Sequence, residues 1–131
     1  MGLKTIGRFV TSTSSAVAAG GTVPLAVSTA TCNLTCDGAS VTVNQGGVFL
    51  ATVAMTMTAD AGGEVQTRLL RDGSQASGAT ATTTAAADGD YVAQSYTALF
   101  TVPKCGQAVL SIEAVDAVTV ESAQLLVVKL A

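Results

Sequence analysis

The sequence predicts an all-β protein, a sandwich of two antiparallel sheets joined in Greek-key fashion. Three observations carry that expectation. Apolar residues recur with period two, β-branched residues are abundant, and Gly-containing turns arrive about every ten residues. No segment carries the apolar spacing of a long helix. The 131 residues suffice for one compact domain.

The strands are read in chain order from their turns. After the Ser/Thr stretch and Gly20-Gly21, residues Thr22 to Ser28 read as a first strand, with Pro24 placing it at an edge, where a missing N–H donor is tolerated. Ser40 to Asn44 is a short second strand closed by Gln45-Gly46-Gly47. Val48 to Thr58 follows, then the turn Asp60-Ala61-Gly62-Gly63. Glu64 to Leu70 alternates as a strand exposing Glu64, Gln66 and Arg68. Arg71-Asp72-Gly73-Ser74 is a hairpin signal, because Asp-Gly suits a turn with positive φ. Ala79 to Ala87 is an Ala/Thr strand, Asp88-Gly89-Asp90 a turn, and Tyr91 to Val102 a long strand ending at Pro103. Ala108 to Ala114 and Glu121 to Leu130 complete about eight strands.

Two strands lack a face fit for water. In Val48 to Thr58, Phe49, Ala51, Val53, Met55 and Met57 form an apolar face. The opposite face is mixed but uncharged over the whole strand. A solvated sheet face normally carries Lys, Glu or Arg. In the last strand Leu125, Leu126, Val127, Val128 and Leu130 are apolar on both sides of the pleat. At about 25 cal/mol per Å² of apolar area, leaving such rows in water forfeits several kcal/mol per subunit. Self-association is the reading; a central strand covered by a loop is the alternative.

Composition excludes several function classes. Hydrophobic residues make up 49% of the chain and charged ones 11%, which argues against disorder. Six basic against nine acidic residues give a net charge of -3, with no cationic surplus for nucleic acid. No stretch approaches the roughly 20 apolar residues of a spanning helix, so no membrane partner is expected. Histidine is absent, which removes the commonest general base and a common metal ligand. No Gly-x-Ser-x-Gly elbow is present, and without Trp there is no strong aromatic platform for sugar cleavage. The expectation is no enzyme, no catalytic residue, no cofactor and no metal.

Single residues read blandly. Cys32, Cys36 and Cys105 are odd in number and lack zinc spacing; buried thiols of a protein assembled in a reducing cytoplasm are expected, with one disulfide involving Cys105 as the alternative. Asp88 and Asp90 flank Gly89 as a tight turn, two carboxylates being too few for calcium. Glu113 and Asp116 read as solvated strand-end and loop charges. Asn33-Leu34-Thr35 matches a glycosylation sequon, relevant only to a secreted eukaryotic protein.

At the amino terminus, Lys4 and Arg8 are followed by no unbroken apolar run, so a secretory signal is not read. Ile6 stands where N-myristoylation wants Ser or Thr. Residues 1–19 read as an arm and residues 20–131 as the domain.

An ordered series of short motifs adds a resemblance. Ala16-Val17-Ala18-Ala19-Gly20-Gly21-Thr22-Val23-Pro24-Leu25 leads into Cys32-Asn33-Leu34, Val41-Thr42-Val43 and Gly47-Val48-Phe49-Leu50. Leu70-Arg71-Asp72-Gly73, Gly78-Ala79-Thr80-Ala81-Thr82 and the terminal Val127-Val128-Lys129-Leu130 follow. Over residues 16–131 this resembles small proteins of bacteriophages and prophages of gut Firmicutes with a tumour necrosis factor-like jelly roll. The resemblance implies a homotrimer packed around a three-fold axis. Carried over by position and parity, Leu50, Thr52, Ala54, Leu126, Val128 and Leu130 face that axis. Phe49, Val53, Met55, Leu125 and Val127 fill the subunit core. It further implies a structural virion protein, a capsid decoration or head-fibre protein whose partner is the major capsid protein lattice and whose place is the capsid surface. The alternative is a receptor-binding or adhesive tip that recognises a bacterial surface. The arm, with Leu3, Lys4, Ile6, Arg8, Phe9 and Val10, is expected to dock on the capsid, since nineteen extended residues reach roughly 60 Å; a frayed terminus is the alternative.

Overall fold

The computed structural model describes residues 5–11, 13–31 and 33–131. The strands are β1 (Ile6–Val10), β2 (Ser15–Val17), β3 (Gly21–Thr22), β4 (Ala26–Ala30), β5 (Leu34–Cys36), β6 (Val41–Val43), β7 (Gly47–Ala59), β8 (Gly63–Arg71), β9 (Ser74–Ala85), β10 (Tyr91–Val102), β11 (Ala108–Ala114) and β12 (Val118–Lys129). Sheet one runs β10-β7-β12-β1-β4, with β2 also paired to β12. Sheet two runs β5-β6-β11-β8-β9, with β3 paired to β11. All pairings are antiparallel. Neighbours in each sheet are mostly distant in sequence, which is the Greek-key arrangement.

Period-two alternation places the core between the sheets. In β10 every second residue from Val92 to Val102 is buried, and in β7 the buried set is Phe49, Ala51, Val53, Met55, Met57 and Ala59. The Phe49 and Phe100 rings stack across β7 and β10 with centroids 5.5 Å apart. Full burial of each such side chain contributes about 1.5–3 kcal/mol. The β8–β9 hairpin turns at Asp72 and Gly73, with φ of 52° and 86°, so Asp-Gly supplies the two positive-φ residues of a tight hairpin.

A satisfied polar cluster lies inside this core. The Thr67 hydroxyl of β8 donates to Gln94 Oε1 at 2.5 Å, so the Tyr96 hydroxyl, 3.1 Å away, donates to Thr67. Gln94 Nε2 donates to the Val65 carbonyl at 2.8 Å and to Thr83 Oγ1 at 3.2 Å. Burial pushes the Tyr96 phenol up to about 12.

Three sequence expectations are corrected by this topology. The strand expected over Thr22 to Ser28 is two strands. β3 belongs to sheet two and β4 to sheet one, and Pro24 sits where the chain crosses between them. β12 begins at Val118 and carries a bulge between Val120 and Ser122. Residues 5–11 and 13–19 are not an arm outside the domain: β1 is paired on both sides, with β12 and β4, and Phe9 is fully buried. Its inward side reads Thr5, Gly7, Phe9. A Cβ on Gly7 would stand 2.5 Å from Leu34 Cδ1, so the residue that lets β1 approach β5 also erases the apolar alternation.

Candidate oligomerisation face

The outward side of sheet one is built from the other parity of the same strands, and register aligns its side chains in rows. Leu99 of β10 pairs with Leu50 of β7, Leu50 with Val128 of β12, and Val128 with Ile6 of β1. These four form an aliphatic ridge across the sheet. The next row is Thr97, Thr52, Leu126 and Arg8, and the next Ser95, Ala54, Gln124 and Val10. Ala93, Thr56 and Ser122 follow. Ridge residues stand in water: Leu99 is 65% exposed and Ile6 46%, with Leu130 beyond the strand end at 56%.

The small residues after the ridge leave a hollow of about 460 Å³ in the face, bordered by Arg8 and Gln124. Arg8 Nε donates to Gln124 Oε1 at 2.6 Å and its Nη1 to Ser28 Oγ at 3.1 Å, which holds the guanidinium flat along the sheet. The strands of sheet one carry three charged residues in all, Arg8, Glu121 and Lys129. Sheet two differs. Its outward side bears Glu64, Gln66 and Thr80, and the cross-strand ion pair of Arg68 with Glu113 at 2.7 Å. The sandwich therefore has one face of ordinary solvated composition and one without it.

Each residue expected at an axis lies on this face. Leu50, Thr52, Leu126 and Val128 are half-buried, while Ala54 and Leu130 are exposed. Phe49, Val53, Met55, Leu125 and Val127 point into the sandwich core. The residues expected in a docking arm separate. Ile6 and Arg8 lie on the outward face beside Val128 and Leu126, Val10 is half-buried there, and Phe9 is in the core. Leu3 and Lys4 lie outside the described residues. A buried Phe9 is unavailable as an anchor for a second surface, which corrects the arm.

The remaining candidates resolve individually. Asp88 Oδ1 accepts from the Gly62 amide at 2.7 Å and Asp90 Oδ2 from the Ala87 amide at 3.0 Å, as tight turns require. Asp116 holds the Gln66 amide at 2.9 Å, and Glu113 is ion-paired rather than a free strand-end charge. Amides of Ser40 and Ala39 bonded to Asp37 hold its carboxyl below the usual carboxylate range. Cys36 is half-buried, its thiol donating to the Leu25 carbonyl at 3.4 Å. Cys105 is exposed rather than buried, at φ 63° in a turn closed by the Gly106 amide on the Pro103 carbonyl. Both thiols are free, and Cys32 lies outside the described residues.

No protein-family model and no curated protein matches the sequence. Solved structures match it in fold. Murine APRIL at pH 5.0 superposes with a TM-score of 0.76 at 14% identity, covering 98% of this chain and 100% of that one. The fold is a tumour necrosis factor-like jelly roll. The globular domain of the zebrafish complement 1qA protein gives a TM-score of 0.69 at 13% identity, over 98% of this chain and 97% of that chain. The PRD1 vertex protein P5 gives 0.60 at 11% identity over the full length of both. At these identities the likeness concerns the fold. Within this jelly roll, sheet one offers the unsolvated surface and sheet two the solvated one.

Proposed function

We propose that the protein is a homotrimeric structural component of a bacteriophage virion, a decoration or head-fibre protein of the capsid surface, whose copies close on one another through sheet one. The observation that carries this reading is the aliphatic ridge of Leu99, Leu50, Val128 and Ile6 on a face nearly devoid of charge. Covering the exposed part of each large ridge residue contributes about 1–2 kcal/mol, several kcal/mol per protomer. A second copy fits the face better than a charged partner, because the face has little charge to complement. A ring also suits it: the free β10 edge, bearing Leu99 and Tyr91, differs from the sheet face, and unlike surfaces meet head-to-tail in a closed ring. The likeness to a vertex protein supports a structural role in a virion. The partner on that reading is the major capsid protein lattice, and no catalysis is involved.

The test is to mix the purified protein with undecorated capsids and count bound copies. Saturation at a stoichiometry set by the capsid symmetry is expected. Binding to host cells with none to capsids would overturn the decoration role in favour of an adhesive module.

A further inference from the structure

Resting on the trimer reading above, we infer that Tyr91 of each copy seats in the sheet-one hollow of the next copy, so that the hollow is completed only across the ring. Tyr91 is the sole exposed aromatic among the described residues: it is 74% exposed, whereas Phe9, Phe49, Phe100 and Tyr96 are buried. A tyrosine suits an anchoring role between proteins, because it brings a large apolar body and a hydroxyl on a stiff side chain. It also stands on the β10 edge, the part of each copy that meets a neighbour's face. Tyr91 does not line the hollow of its own copy, although Ala93, two residues on, does.

Register sets the level at which edge and face meet. The whole β10 edge lies along a neighbour's face when the ring axis runs with the strands, and rotation about such an axis leaves every residue at its own height. Leu99 then falls at the height of the neighbour's Leu50, Val128 and Ile6, aliphatic against aliphatic. Tyr91 is level with Thr58 and Thr119, one row from Ala93, Thr56 and Ser122 at the near end of the hollow. One row is about 7 Å along the strands, a distance that a tyrosine side chain spans. The two large exposed side chains of β10 thus meet the two features of the face, ridge and hollow, at their own heights. A hollow of about 460 Å³ has room for the ring, and Thr56, Ser122 and Gln124 surround it with partners for the hydroxyl that a covered tyrosine must satisfy. The side chain that enters brings no charge onto the face.

The experiment reads Tyr91 by its own emission, since the chain has no Trp and its other tyrosine, Tyr96, is buried. In the assembled full chain, iodide is expected to quench tyrosine emission with a slope at least about fivefold below that of free N-acetyltyrosinamide. A second measurement locates the ring. Thr56→Phe fills the hollow and is expected to raise the trimer dissociation midpoint in sedimentation equilibrium about tenfold or more, but less than about threefold when introduced beside Tyr91→Ala, which removes the side chain it displaces. A steeper slope in a protein that sediments as a trimer, or an equal loss in both backgrounds, overturns the seating while leaving the trimer standing. A monomeric unsubstituted protein overturns the trimer reading itself.

Discussion

Replacing Phe9 by alanine separates a strand from an arm. Phe9 is fully buried, its ring edge lies 2.8 Å from where a Gly7 Cβ would be, and its strand is bonded to β12 on one side and β4 on the other. Truncating such a side chain removes its transfer free energy and leaves a cavity that paired strands cannot collapse, a loss of about 3–5 kcal/mol. Against a domain stability of about 5–15 kcal/mol, that is a large fraction. Ile6→Ala, on the other face of the same strand and 46% exposed, is the internal control, with a loss of about 1 kcal/mol in the isolated protomer. The assay is guanidinium unfolding followed by far-ultraviolet circular dichroism at fixed, low protein concentration, comparing midpoints at constant slope. A loss below about 0.5 kcal/mol for Phe9→Ala, the value typical of a surface position, would refute the placement of β1 in the core and restore an arm.

The remaining predictions probe other parts of the structure. Thr67→Val strips Gln94 Oε1 of its donor and Tyr96 of its acceptor, and is expected to cost about 1–3 kcal/mol in thermal or chemical unfolding, with Thr67→Ser recovering most of it. Tyr96 has a phenol pushed up to about 12 in the folded protein against an ordinary value near 10, so its contribution is complete below pH 10 and is lost as pH rises through about 12. Alkaline unfolding should show that loss, up to about 2–3 kcal/mol, and Tyr96→Phe should abolish the dependence on this group. Cys105, exposed in its turn, should react with a thiol reagent in the native state much faster than the half-buried Cys36, as read by peptide mass spectrometry. Gly7→Ala should destabilise by about 1–3 kcal/mol, because Leu34 and Phe9 must both give way to its Cβ.

Much of the sandwich was legible because alternation is a local signal. β10 and β11 begin and end where the sequence reading placed them, between a Gly-containing turn and a Pro or Asp that ends the ladder. The two faces of β7 and the two-sided apolar character of β12 pointed to the same surface, and β12 proves to be central, paired with β7 and β1. β1 escaped detection since its inward positions hold a threonine and a glycine before Phe9, so packing against Leu34 replaced the pattern that would have revealed it. β2, β3 and β5, with two or three residues each, are too short to carry a period, and pairing with long neighbours defines them. The exposure of Cys105 was available in Pro103-Lys104-Cys105-Gly106, a four-residue turn signal, but thiols are buried so commonly that the prior prevailed. The inward parity of Thr67 and Gln94 could be counted in the sequence, whereas their mutual hydrogen bond depends on how the two sheets stack.

The proposed virion role depends on the assembly of sheet one against other copies, and the mass of the protein in dilute solution tests that most directly. Light scattering or sedimentation at nanomolar concentration should return three times the protomer mass of 12.9 kDa, with Leu50→Glu shifting the distribution to folded protomers. A folded, long-lived protein of 12.9 kDa under the same conditions would contradict it.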